Sequence, residues 1–174
     1  MADEVSAAEG TQRAVILKAA RGAESIQEML EAIAQLEQQR QRGSIESLEG
    51  EWLLIWTSGT KKYQELKPNH SQKLIQTSSR RNQVIQRFDI QQRQLENEVK
   101  FPFGSLVVAG EFEYTPQQQI QFTFSQMRSH LGKLKFQLPL GKFAQGWLQT
   151  TYIDEELHIE RGDRGGVSVY VKNN

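Results

Sequence analysis

The chain has 174 residues, with 21 basic and 21 acidic side chains, so its formal net charge is zero. This length suits one domain. The absence of cysteine excludes disulfides, thiolate metal sites and cysteine nucleophiles. The balanced charge argues against nucleic-acid binding, which normally shows a basic excess. No apolar run approaches the roughly 18 residues of a membrane span, and no basic, apolar leader opens the chain, so we expect a soluble protein.

The first quarter of the chain is predicted to be helical. Residues 1–10 are small and acidic, and we expect a disordered tail there. A first helix is predicted over 11–21. Ser25 and Glu28 then form a capping-box pattern that opens a second helix with one apolar stripe. The segment 11–43 is therefore predicted to pack on the rest of the domain, although such a stripe also suits a partner or a membrane surface.

Residues 44–174 are predicted to form a β domain. Hydrophobic alternation with period two is clear at 120–124, 134–138 and 167–171. Further strands are predicted at 51–58, 72–78, 83–90, 94–101, 105–115, 147–153 and 156–161. Eight to ten short antiparallel strands separated by Gly and Pro turns predict a mainly β fold, either a sandwich or a closed barrel.

One face of the predicted strands is rich in aromatic residues. An eight-stranded barrel has room for its own side chains or for one small ligand. Large aromatic side chains around an apolar interior can hold a hydrophobic molecule, and an ordinary filled core is the alternative. The candidates for lining such an interior are Trp52, Trp56, Phe88, Phe112, Phe122, Phe124, Phe136 and Trp147. Strand 51–58 is apolar on both faces, so the helices are expected to cover its outer side.

Catalytic and metal-binding patterns are not found. His70, His130 and His158 lie in separate segments without metal-ligand spacing. There is no G-x-S-x-G motif, and the glycine-rich stretch 162–166 lacks the Lys and Ser/Thr of a phosphate loop. We therefore predict no enzymatic activity, no metal and no cofactor.

Two basic stretches are candidates for contact with anionic head groups at the mouth of a barrel. Ordinary surface charge is the alternative. The first comprises Lys61, Lys62, Lys67, His70 and Lys73, and the second comprises Lys133, Lys135 and Lys142.

Two motifs resemble known proteins. Leu48-Glu49-Gly50-Glu51-Trp52 resembles the G-x-W signature of lipocalin-like barrels. The stretch 146–166, GWLQTTYIDEELHIERGDRGG, is similar to the signature of the plastid lipid-associated protein family, also called fibrillins or plastoglobulins. Residues 53–58 resemble the first strand of that family, and the similarity extends over about residues 11–172.

The resemblance implies a lipocalin-like barrel that binds hydrophobic lipids and associates with plastoglobules and photosynthetic membranes. It also implies that a basic side chain packs on the first-strand tryptophan, with Arg161 and Trp52 as the matching positions. The family-motif residues, with a mostly architectural role, would be Gly50, Trp52, Tyr152, Asp154, Glu155, Arg161, Gly162 and Asp163.

Two departures from the family pattern affect these expectations. His158 stands where the family usually has arginine, so the role of that arginine is in doubt here. Residues 1–10 carry three acids and do not look like a plastid transit peptide. We therefore expect a cyanobacterial relative, in the cytoplasm or at the thylakoid. A plant form would be found in the plastid, at plastoglobules or thylakoids.

The leading hypothesis is a non-enzymatic carrier or structural protein for a prenylquinone, carotenoid or fatty acid, with peripheral membrane contact as an addition. One alternative is a filled barrel that binds another protein, for example a quinone-biosynthesis enzyme. A third hypothesis is a bilin lyase, because lipocalin-like bilin lyases share the barrel class.

Overall fold

In the computed structural model, residues 2–20, 25–38, 44–59, 82–115, 119–140 and 144–173 are described, with the backbone alone for 2–7. The predicted strand 72–78, the first lysine stretch and Lys142 lie outside these ranges. Helix α1 spans Ala2–Ala20 and α2 spans Ile26–Gln38. The backbone of α1 thus includes residues 2–10, for which we expected a tail.

Within the described ranges, nine strands follow a short 3₁₀ turn at Ile45–Leu48. Because their sequences alternate and are bounded by turn residues, most lie within a few residues of the predicted bounds. They are β1 Gly50–Thr57, β2 Gln83–Asp89, β3 Gln94–Phe101, β4 Gly104–Tyr114, β5 Gln119–Leu131, β6 Leu134–Pro139, β7 Gln145–Ile153, β8 Leu157–Gly162 and β9 Val167–Lys172.

The strands form one antiparallel sheet in the order β4-β3-β2-β1-β9-β8-β7-β5-β6, and β4 also pairs with β5. This extra pairing closes eight strands into a ring. Strand β6 lies beside the ring, because β5 pairs with β7 over 119–123 and with β6 over 126–131. The predicted fold class, a mainly β, lipocalin-like antiparallel fold of eight to ten strands after two helices, is confirmed.

The helices cover one outer side of the sheet. The capping box is confirmed, since the backbone N–H of Glu28 donates to Ser25 Oγ at 3.1 Å and the N–H of Ser25 donates to the Glu28 carboxylate at 3.2 Å. We call the helix-facing cluster the helix-side core. It consists of Ile16, Ala19, Ala20, Met29, Ala32, Ile33, Leu36, Trp56, Tyr152, Leu157, Ile159, Val167 and Val169.

A second cluster lies on the inner side of the ring, and we call it the inner core. It consists of Leu48, Trp52, Leu54, Phe88, Leu95, Phe112, Ile120, Leu148, Ile153 and Tyr170. The outer side of β2 and β3 is charged instead. There Arg87 donates to Glu51, Glu96 and Glu98 at 2.7–2.9 Å. This charge pattern confirms that the alternate residues of β2 and β3 face inward.

Register shifts in three strand pairings decide which aromatic residues face inward, and two of them place aromatic residues under the helices. The pairing of β1 with β9 shifts register between Leu54 and Trp56, and that of β7 with β8 shifts between Thr150 and Tyr152. Because one extra residue reverses the alternation beyond the bulge, Trp56 and Tyr152 lie in the helix-side core. Trp56 therefore does not line the interior, where simple alternation had placed it.

Candidate functional site

The inner side of the sheet continues beyond the closed ring onto an exposed surface. Cross-strand register places Val99 beside Leu106, Leu106 beside Ser129, and Ser129 beside Phe136. This row extends the inward side of β3 across β4 and β5 to β6. We call the exposed apolar residues on this surface the open apolar face. They are Val99, Leu131, Leu134, Phe136 and Leu138.

The open apolar face is unusual for a sheet surface in water. Its side chains are between 39% and 71% exposed, and Phe103 in the adjoining β3–β4 turn is 84% exposed. The turns at its tip touch, since the backbone N–H of Gly132 donates to the carbonyl of Phe103 at 2.9 Å. Contiguous exposed apolar residues of this kind mark sites that bind apolar ligands or other surfaces.

A group of polar side chains, all buried except the half-buried Thr150, lies inside the ring, and we call it the inner polar cluster. It comprises Gln86, Thr150, His158, Glu160 and Tyr170. His158 is fully buried, and its ring lies 5.4 Å from that of Tyr170 and 5.3 Å from that of Trp52. Its Nε2 is 3.2 Å from Thr150 Oγ1 and 4.0 Å from Glu160 Oε2.

Two neighbouring side chains, Tyr170 and Gln86, hydrogen-bond to the Glu160 carboxylate. The Tyr170 hydroxyl donates to Oε1 at 2.9 Å, and the Gln86 side chain donates from across the ring. Burial raises the pKa of Glu160 to about 7, against the opposing effect of these two hydrogen bonds. Burial, with a smaller contribution from the charge of Lys172, lowers the pKa of His158 to about 3. The imidazole is therefore neutral at physiological pH.

Trp52 is a fully buried member of the inner core. Its indole Nε1 donates to the Leu48 carbonyl at 2.8 Å, and Lys172 Nζ lies 4.3 Å from the centroid of its ring. The expectation that Arg161 packs on Trp52 is wrong. Strand alternation turns Arg161 outward, where its guanidinium binds both carboxylate oxygens of Glu37 on α2, at 2.8 and 2.7 Å.

The eight aromatic residues expected in the interior lie in four places. Trp52, Phe88 and Phe112 belong to the inner core, and Phe122 and Phe124 pack against it half-buried. Phe136 lies on the open apolar face, and Trp56 lies in the helix-side core. Trp147 is on the outer side of β7, because its neighbour Leu148 faces inward.

Trp147 lines an open groove of about 800 Å³ over the ends of β4, β5 and β7. Polar side chains make up most of its walls, which include Arg93, Glu111, Glu113 and Gln121. An open, polar groove of this kind suits an apolar ligand less well than the open apolar face does.

The family-motif residues at the β7–β8 turn connect the sheet to α1. The buried Tyr152 hydroxyl lies 2.5 Å from a Glu9 carboxylate oxygen and 2.7 Å from Asp154 Oδ2. Arg13 of α1 pairs with the same Asp154 oxygen at 3.0 Å. Asp154 Oδ1 accepts the backbone N–H groups of the turn, while Glu155 is exposed.

The remaining motif residues shape the ends of strands. Gly50 opens β1 at φ +102°, a backbone conformation that favours glycine. Gly162 ends β8, and the backbone N–H of Asp163 donates to the Trp147 carbonyl at 3.0 Å. The architectural role expected of the motif stays a prediction.

We expect Asp154→Ala to lower the free energy of unfolding by about 2 kcal/mol. The reason is that Tyr152, Arg13 and two turn amides all lose their contacts with the Asp154 carboxylate. Glu155→Ala, in the same turn, is the matched control and is expected to change it by less than about 0.5 kcal/mol. Urea unfolding of both variants measures the difference. Equal losses would show that the turn contributes no specific contact.

Sequence reasoning missed several residues of the site. Gln86, Glu160 and Lys172 were not singled out, and neither was the open end of the sheet. One signal was present: Leu157 and Ile159 alternate with His158 and Glu160, so a strand with one apolar face carries two ionisable residues on the other. Reading that face as inward would have required knowing that the helices cover the apolar one.

Two further observations concern the described parts of the chain. Neither α1 nor α2 has the length and hydropathy needed to cross a bilayer. No three His, Asp or Glu side chains within the described ranges come together as a metal site requires.

A closed antiparallel sheet, helices on one side and an apolar inner side define a lipocalin-like class of protein. The model of the PAP_fibrillin family matches residues 4–171, so the chain belongs to this family. The predicted family membership is thus confirmed.

Curated relatives carry names from the same family. The chain is 30% identical over 121 residues to "Probable plastid-lipid-associated protein 11, chloroplastic" of Arabidopsis thaliana, covering 69% of this chain and 54% of that protein. It is 32% identical over 85 residues to "Chromoplast-specific carotenoid-associated protein, chromoplastic" of Cucumis sativus, covering 45% and 26%. The chain thus spans about half the length of the first relative and a quarter of the second. No solved structure matches.

Proposed function

We propose that this protein is a non-enzymatic binder of a hydrophobic lipid, and that the lipid lies on the open apolar face. The main support for this proposal is that the inward side of the sheet continues without a break from the inner core onto exposed Leu134, Phe136 and Leu138. Moving a ligand from water onto such a surface gains about 25 cal/mol per Å² of apolar area.

The relatives' names support this ligand class, since they refer to plastid lipids and to carotenoid. The candidates remain a carotenoid, a prenylquinone or a fatty acid, and the proposed location is the plastid or a cyanobacterial thylakoid. The tip of the face carries Phe103, Lys133 and Leu134, all exposed, and would contact a lipid surface there.

A matched pair of substitutions on β6 tests the proposal. Phe136→Asp places a charge on the open apolar face, whereas Gln137→Asp places the same charge on the opposite side of the same strand. We expect the first to weaken lipid binding about 10-fold or more and the second to leave it within about twofold, because only the first opposes burial of apolar area.

The measurement is equilibrium binding of a carotenoid, a long-chain prenylquinone and a long-chain fatty acid, followed by tryptophan quenching and dialysis. Circular dichroism establishes that both variants fold. The proposal is contradicted if none of the three ligands binds saturably, or if both variants lose affinity equally. A stable complex with another protein, lost only in Phe136→Asp, would favour the protein-interaction alternative instead.

A further inference from the structure

The inner polar cluster has fewer hydrogen-bond donors than acceptors. Three of its atoms have no partner among the residues that the structure describes: Gln86 Oε1, His158 Nδ1 and Glu160 Oε2. All three side chains are more than nine-tenths buried. An unpaired buried polar atom costs roughly 1–3 kcal/mol, so a hydrogen-bond donor placed among these three atoms would be stabilised.

Each unpartnered atom is assigned as an acceptor. Gln86 can hydrogen-bond to the Glu160 carboxylate only through its amide N–H, and its Oε1 has no partner among the described residues. The Tyr170 hydroxyl donates to Glu160 Oε1, and Glu160 Oε2 has no hydrogen-bond partner among the described residues. The two oxygens beside His158 Nε2 favour a proton on that nitrogen, and this tautomer, assigned from the hydrogen-bond network, leaves Nδ1 as an acceptor.

One row of inward-facing residues connects the cluster to the open apolar face. Cross-strand register forms one continuous row on the inward side of the sheet: Leu138, Met127, Val108, Asn97, Gln86 and Trp52. Four strand steps separate Leu138 from Gln86, which is roughly 19 Å along the sheet. An extended apolar molecule lying along this row has one end at the inner polar cluster.

We propose that the inner polar cluster binds the hydroxyl end of the lipid, so that the preferred ligands are long-chain alcohols and phenols rather than their ketones or ethers. The inference rests on the proposed function and deepens it. A hydroxyl hydrogen donates to an unpartnered acceptor, whereas a carbonyl or ether oxygen brings another acceptor to a cluster that already has three. A site built this way rejects a ligand that lacks the donor.

The test compares 4-dodecylphenol with 4-dodecylanisole, its methyl ether, which share the alkyl chain and the ring and differ in the O–H donor. Binding is measured at pH 8, above the pKa of about 7 of Glu160, so that its carboxylate is an acceptor. The charged or titratable groups that face it are His158 and Tyr170, with Lys172 nearby over Trp52. We expect the phenol to bind at least about 10-fold more tightly than the ether.

Glu160→Gln is the diagnostic variant. Tyr170 donates at the Oε1 position, so the new amide places its oxygen there and an N–H₂ donor at the former Oε2. We expect the phenol preference to fall to within about threefold, with ether binding retained, which also shows that the variant folds.

The outcomes separate the two proposals. Equal binding of both probes to the unmodified protein overturns the hydroxyl site and leaves the lipid-binding function standing, since an internal water would then satisfy the cluster. Binding of neither probe overturns both. A phenol preference that Glu160→Gln leaves unchanged places the donor site elsewhere and overturns the inference.

Discussion

Replacing Trp52 with alanine is expected to lower the free energy of unfolding by about 3–5 kcal/mol. The side chain is fully buried in the inner core and contacts His158 edge-on. Alanine would leave a cavity, remove the donor to the Leu48 carbonyl and take away the ring beneath Lys172. A loss of this size is a large fraction of the 5–15 kcal/mol typical of a domain.

Trp147→Ala is the matched control, because it removes the same side chain from a half-buried position on the outer side of β7. Its cost is expected to be under half that of Trp52→Ala. Trp52→Phe separates the hydrogen-bond contribution from the packing contribution, because it keeps most of the side-chain volume but loses the N–H donor. It should cost about 1–2 kcal/mol. Urea unfolding measures all three, and a Trp52→Ala loss no larger than that of Trp147→Ala would contradict the assignment of Trp52 to the core.

Local sequence predicted the strands well because alternation and turn residues act over a few positions. Simple alternation fails where a bulge inserts one residue, and this explains why Trp56 lies under the helices. A β-bulge leaves no reliable mark in a single sequence. The helical cover was predictable for a different reason: strand β1 is apolar on both sides, so its second side had to be buried.

The site was less predictable because its contacts join distant parts of the chain. The hydrogen bond between Gln86 and Glu160 crosses the ring, and Lys172 reaches Trp52 from the last strand. Arg161 and Lys172 are both basic residues near the end of the chain. Only the side of the sheet that each faces decides that Lys172 covers the indole and that Arg161 pairs with Glu37.

His158 and Glu160 are expected to give stability opposite dependences on pH. The pKa of Glu160 is raised from 4.5 to about 7 on folding, so its contribution is fully present below pH 4.5 and is lost as the pH rises towards 7. The pKa of His158 is lowered from 6.5 to about 3, so its contribution is present above pH 6.5 and is lost as the pH falls towards 3. Between pH 4.5 and 6.5, a rise in pH lowers the stability contributed by Glu160 and raises the stability contributed by His158.

Glu160→Gln removes the pH dependence of stability that comes from Glu160 and leaves that of His158. The variant is expected to gain stability relative to the unmodified protein between pH 5 and pH 8, by up to roughly 3 kcal/mol, since one pKa unit corresponds to about 1.4 kcal/mol. Urea unfolding across this range measures the difference, and Glu155→Gln, in an exposed turn, controls for the lost negative charge. Because folding raises the pKa of Glu160, its ionised carboxylate destabilises the folded protein above pH 7. A difference that stays constant from pH 5 to pH 8 would show that Glu160 ionises in the folded protein as readily as in the unfolded chain.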